Sequence, residues 1–150
     1  KCWPNHKFNK LIKKILKKYK IQIIISGTKS EEKTMKEIIN NINSDFIFLY
    51  SGQTLLEFVE MIRNAELVIG NDSSAIHIAN FVNTKSICLY GGKLPGRFLP
   101  YPKEIKNSPL IASSNKCKAN NWRCADLHNC LLKTEVEDIL KLIEIIFEKT

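Results

Sequence analysis

No run of about 18 uncharged apolar residues occurs in the chain, so no membrane-spanning helix is expected. A secretory leader, basic then apolar then small, is not expected either. Internal repeats and low-complexity tracts are missing. Arginine is scarce, with 3 residues against 20 lysines. The net charge of +8 invites an anionic partner. Planar, two-pronged recognition of phosphates and bases favours arginine, however. A general bias toward Lys, Ile and Asn gives the same charge, so nucleic acid is not expected as a partner. There is no G-x-G-x-x-G after the first strand and no G-x-x-x-x-G-K-[ST]. Both absences argue against a dinucleotide fold and a P-loop.

Five cysteines is an odd number. Cys2 lies near the terminus, Cys88 in a strand that reads as buried, and Cys117, Cys124 and Cys130 in one late loop. This is no small disulfide framework; reduced thiols in a cytosol fit it. With His128 the late cysteines offer a Cys3His zinc set. Their spacings, six and five intervening residues, fall outside the usual two to four. Thiols packed with Trp122 are the preferred reading, and no metal or other cofactor is expected.

What is present is a parallel α/β pattern. A chain of 150 residues can bury one substantial core. Its opening lysine is read as the start of a piece cut from a longer protein. Pro4 suits the first turn of a helix. Phe8, Leu11, Ile12, Ile15, Leu16 and Tyr19 follow at helical spacing, with lysines between them. Ile21 to Ser26 is a β-branched strand. Thr28-Lys29-Ser30-Glu31 reads as a capping box opening a helix to about Asn41. Asp45 to Tyr50 is the next strand. Thr54-Leu55-Leu56-Glu57 is a second box, opening a helix through Arg63. A strand over 66–70 precedes the central helix, and Lys85 to Tyr90 is another strand. The stretch 91–133 is loop-rich, with a short strand at Leu110-Ile111-Ala112. A third box, Thr134-Glu135-Val136-Glu137, opens the closing helix. Strand–helix units at this spacing imply a Rossmann-like parallel sheet with helices on both faces.

The chain is organised around Gly70-Asn71-Asp72-Ser73-Ser74-Ala75-Ile76-His77. A polar cluster there sits between an apolar strand and an apolar helix. Open α/β sheets bind ligands at such turns, beyond the carboxyl ends of the strands. Asp72 or Ser73 can cap the helix, and its free amides favour an anion. His77, one turn in, can face the same pocket. The combination suits a phosphorylated ligand. Taken singly the residues have plainer readings: a cap, small turn residues, a core histidine. The turns Gly27-Thr28-Lys29-Ser30-Glu31 and Gly52-Gln53-Thr54 share one sheet edge with it in such a fold, so a nucleotide can lie across them. Glu31 then either meets the ribose or merely closes its capping box.

The stretch from Gly70 to Ala79 resembles the D-[ST]-G-x-x-H-x-A signature of glycosyltransferase family 9, the lipopolysaccharide heptosyltransferases. Lys1-Cys2-Trp3-Pro4 resembles the family's K-x-W-P stretch, and Gly27 through Glu31 its G-x-x-x-E turn. Gly52-Gln53-Thr54-Leu55-Leu56-Glu57 and Tyr90-Gly91-Gly92 follow in family order. The resemblance implies a two-domain GT-B enzyme, with residues 1–150 as one donor-binding C-terminal domain and the N-terminal acceptor domain absent. It implies inverting transfer of heptose from ADP-heptose to a lipopolysaccharide or other surface-glycan acceptor. The donor is a substrate, not a cofactor. By position, Lys1 and the amides around Ser73 and Ser74 hold the diphosphate, with Gly27 and Thr28 at the nucleotide turn. Glu31 holds the ribose, and Asp72 and His77 face the phosphate–sugar end. The family's catalytic base lies in the absent domain, so this chain alone is expected to bind donor without turnover. One departure is Ser74, where the family usually has Gly; its side chain crowds a phosphate or adds a hydroxyl donor.

Two other readings remain. One is a sugar-nucleotide epimerase on the same fold, for which no acidic catalytic residues stand out. The other is a non-catalytic basic module whose lysine-rich helix meets a membrane. The transferase reading implies a cytoplasmic protein that contacts the inner face of the inner membrane peripherally, where a glycolipid acceptor is found.

Overall fold

A computed structural model describes residues 2–91, 99, 101, 108–112 and 129–148. The contacts group into two compact units: Pro4–Phe58, and Lys1–Trp3 with Val59–Thr150.

The first unit opens with helix α1 (Asn5–Lys18). Pro4 stands at its N-cap with extended backbone, and its carbonyl accepts from the Lys7 and Phe8 amides. Leu11, Ile12 and Ile15 are the buried stripe, with Ile15 one turn on from the first two as an amphipathic helix requires. Strand β1 (Ile23–Gly27) pairs in parallel with β2 (Ile47–Ser51), from Ile23 opposite Ile47 to Gly27 opposite Ser51. Between them run a 3-10 turn (Lys29–Glu31) and helix α2 (Glu32–Ile38). The helix is shorter than its pattern predicts. Asn41 takes a left-handed backbone, φ 58°, which Asn tolerates and a helix cannot continue through. β1 is not the fully buried strand its composition predicts, since Ile24 is half exposed.

Helix α3 (Leu55–Arg63) carries the chain into the second unit. There β3 (Val68–Asn71), β4 (Ser86–Leu89) and β5 (Leu110–Ala112) form a parallel sheet in that order. The described hydrogen bonds thus make two parallel sheets, β1–β2 and β3–β4–β5, rather than one continuous ladder. Strand β3 starts two residues later than the predicted 66–70 and ends one later, so Asn71 is its last residue. Every residue of β4 is buried, as expected for a central parallel strand. Helix α4 (Ser74–Phe81) joins β3 to β4 and buries Ile76 and Ala79. It ends in a Schellman turn: Asn83, φ 68°, donates to Asn80 O and Thr84 to Ala79 O.

Two short helices close the described chain. α5 (Asn129–Lys133) falls within the stretch predicted as loop. α6 (Val136–Glu148) buries Val136, Ile139, Ile143 and Ile146. Its start is organised one residue later than the third box predicts: the Glu135 amide donates to Asp138 Oδ2 at 3.1 Å.

Candidate functional site

In the second unit, β3 delivers the chain to the start of α4, and the polar cluster sits at that junction. Ser73 occupies the N-cap position but makes no side-chain capping bond. Its carbonyl accepts from the Ile76 amide at 3.1 Å. No acidic residue stands in the helix's first turn. The positive end of the α4 dipole is therefore neither capped by a side chain nor neutralised within its own turn, and the Ser74 and Ala75 amides open it. Ser73 and Ser74 are exposed.

Asp72 lies one residue before the N-cap and does not serve as the cap. Its carboxylate instead faces His77, with Oδ1 3.8 Å from Nε2. That separation is too long for a hydrogen bond and becomes an ion pair when the imidazole is protonated. The other ring nitrogen, Nδ1, bonds the Tyr101 hydroxyl. The two rings meet edge-on, with centroids 5.8 Å apart and planes at 64°. His77 is therefore no buried core histidine: its side chain is 40% exposed and that of Asp72 36%. The Tyr101 ring packs on a buried cluster of Ile76, Cys88, Tyr90 and Leu99. Burial and the Asp72 charge push the Tyr101 hydroxyl pKa upward. The same causes, burial first, push the Cys88 thiol to about 12. Both groups stay protonated near neutrality.

Trp3 ties the start of the chain to this junction. Its ring is fully buried, and Nε1 donates to the Thr134 carbonyl at 3.0 Å. Its backbone amide donates to Asn71 Oδ1 at 2.9 Å. Asn71 is thereby engaged in holding the chain. Lys1, two residues upstream, lies outside the described residues.

The first unit holds the other predicted residues. Glu31 Oε2 accepts from both the Thr28 amide and the Thr28 hydroxyl, each at 2.8 Å. These bonds, the amide first, lower the Glu31 pKa. The capping box is thus real, and Glu31 Oε1 has no hydrogen-bond partner among the described residues. Gly27 makes this possible: a Cβ there would stand 3.1 Å from Glu31 Oε2 and 3.1 Å from Met35 Sδ. Gly52 takes a left-handed backbone, φ 72°, which a side chain would strain, and a Cβ there would also push the Lys29 side chain aside. The second box matches its prediction, with Glu57 Oε2 accepting from Thr54 N at 2.7 Å and Oγ1 at 2.9 Å.

Among the described residues no group of His, Cys, Asp and Glu is placed to hold a metal ion. The late-loop candidates Cys117, Cys124 and His128 lie outside them, as does the Cys130 side chain. No helix among the described residues is long and apolar enough to cross a membrane.

The sequence pattern singled out neither Tyr101 nor the Asn71 side chain. Trp3 entered only as part of the K-x-W-P resemblance. Its place beside Pro4, ahead of a helix, was the available signal for an anchor.

The parallel strands with helices between them define a parallel α/β protein. The chain belongs to glycosyltransferase family 9 (heptosyltransferase), whose sequence profile matches residues 1–127. It is 31% identical, over 98% of its length, to lipopolysaccharide heptosyltransferase 1 of Campylobacter coli, covering 43% of that protein. The fold is similar to that of Escherichia coli ADP-heptose lps heptosyltransferase II: TM-score 0.77, 18% identity, 98% of this chain and 42% of that one. It is also similar to the E. coli heptosyltransferase WaaC solved with ADP: TM-score 0.72, 19% identity, 96% and 39%. The chain thus spans less than half the length of these relatives.

Proposed function

We propose that this chain is the donor-binding part of an inverting glycosyltransferase that takes ADP-heptose or a related ADP-sugar. The observation that carries the reading is the start of α4. Its amides are open, its first turn has no acid, and Asp72 and His77 stand beside it. A diphosphate is the ligand that such a turn accepts. Transfer leaves ADP with added negative charge, and the oriented amides at the start of α4, with the His77 ring beside them, stabilise that charge as it develops. Asp72, which does not cap the helix, faces the sugar end and stands beside His77. Ser74 adds a hydroxyl donor where the family usually has Gly.

Support for the adenine nucleotide comes from the relative solved with ADP. The resemblance assigns the diphosphate also to Lys1 and the ribose to Glu31. Glu31 Oε1 is the carboxylate oxygen left over for that task, its partner Oε2 being held by Thr28. The acceptor is a lipopolysaccharide-type glycolipid, by analogy with the named relatives. The acceptor site and the catalytic base belong to the N-terminal domain of the complete protein. The donor is a substrate, and the reading uses no metal or cofactor. The protein works in the cytoplasm, touching the inner membrane peripherally through basic surfaces such as the lysines of α1.

Calorimetry of the full-length protein with ADP, UDP and GDP tests this. Binding of ADP in preference to the others supports it. Preference for UDP refutes the heptose assignment alone, and no heat with any of them refutes the nucleotide site.

A further inference from the structure

We infer that Tyr101 is a positioning residue of the donor site, acting through His77; the inference rests on the nucleotide reading above. His77 sits on the first turn of α4 with one ring nitrogen bonded and the other turned toward a carboxylate beyond hydrogen-bond reach. Asp72 faces Nε2 and the Tyr101 hydroxyl bonds Nδ1. A carboxylate is acceptor-only, whereas a phenol can donate or accept. The consistent proton placement for the neutral ring puts the hydrogen on Nε2, toward Asp72, with Nδ1 accepting from Tyr101. When the ring takes a second proton, the phenol rotates its own hydrogen away and accepts from Nδ1. One hydroxyl therefore holds the ring in both charge states.

The phenol is suited to this because its ring is fixed from behind. It packs on Ile76, Cys88, Tyr90 and Leu99, with Val68 and Ile111 beside them. Ile76 precedes His77 on α4, and Cys88 lies on the neighbouring strand β4. The core of this unit thus sets where the hydroxyl sits, and the hydroxyl sets the imidazole plane. Asp72 alone, at 3.8 Å, fixes no plane. Without Tyr101 the half-exposed imidazole is free to turn about its side-chain bonds, and its Nε2 edge is no longer held toward Asp72.

The test uses the full-length protein and ADP as the probe, with wild type, Tyr101→Phe, His77→Ala and the double variant. Phe keeps the packed ring, and unchanged melting of Tyr101→Phe checks that the fold is kept. Tyr101→Phe is expected to weaken ADP binding about three- to tenfold, the order of one oriented hydrogen bond. The double variant is expected to bind like His77→Ala alone, because Tyr101 has nothing left to act through. The ligand-free protein should show the His77 Nδ1 NMR resonance displaced in Tyr101→Phe. Wild-type ADP affinity in Tyr101→Phe overturns the inference, as does a double variant whose two penalties multiply. Wild type that binds no ADP refutes the donor-site reading itself, a distinct result.

Discussion

Trp3→Phe isolates the bond that ties the start of the chain to the second unit. The substitution keeps an aromatic ring in a fully buried position and keeps the backbone bond to Asn71. It removes the indole N–H, and with it a buried hydrogen bond of 3.0 Å to the Thr134 carbonyl. Losing the donor from a buried carbonyl costs about 1–3 kcal/mol. The smaller ring adds a packing loss, so a total near 2 kcal/mol is a conservative expectation. Trp3→Ala leaves a cavity as well and should cost about 3–5 kcal/mol. The assay is urea unfolding followed by circular dichroism. With a slope of about 2 kcal/mol per molar, Trp3→Phe should lower the midpoint by roughly 1 M at unchanged slope. A Trp3→Phe midpoint within ~0.2 M of wild type would show that the indole bond contributes nothing and that the anchor is ring packing alone.

Two further outcomes follow from the titrating groups. Cys88 is buried and its thiol is pushed to about 12, whereas Cys2 is exposed; iodoacetamide at ~pH 8 should alkylate Cys2 in the native protein and Cys88 only after unfolding, read by peptide mass spectrometry. Native labelling of Cys88 contradicts its placement in β4. Glu31 has a lowered folded-state pKa, so its box stabilises fully above the ordinary value of 4.5 and loses that stabilisation as pH falls through the lowered one. The melting-temperature gap between wild type and Glu31→Ala should therefore narrow from ~pH 7 toward ~pH 3. A gap that stays constant with pH contradicts the assignment.

What could be read from the sequence was local chemistry. The boxes at Thr28–Glu31 and Thr54–Glu57 join residues three apart, and both form. Strand β5 appears at the residues its short apolar run predicts. The turn at Asp72–His77 was legible as a candidate site because its polar residues sit between two apolar runs. Contacts across the chain left no such trace. The Thr134 carbonyl is taken by Trp3, 131 residues away, and the helix start beside it shifts to Glu135 and Asp138. Tyr101 is 24 residues from His77, in a stretch without period. Helix α5 has five residues, too few to show one. Asp72 and Ser73 were both open as the cap from local sequence; Ser73 takes the N-cap position and leaves the Asp72 carboxylate to face His77.

The most direct measurement of the central claim is ADP calorimetry on full-length Ser74→Asp beside its melting curve. An acid in the first turn of α4 favours the helix dipole, so stability should hold or rise slightly. The same carboxylate stands where the diphosphate is proposed to lie and repels it, so ADP affinity should fall at least tenfold. A variant that melts like wild type and has lost ADP binding is the predicted result. One that melts like wild type and binds ADP normally would show that the start of α4 is not the phosphate site.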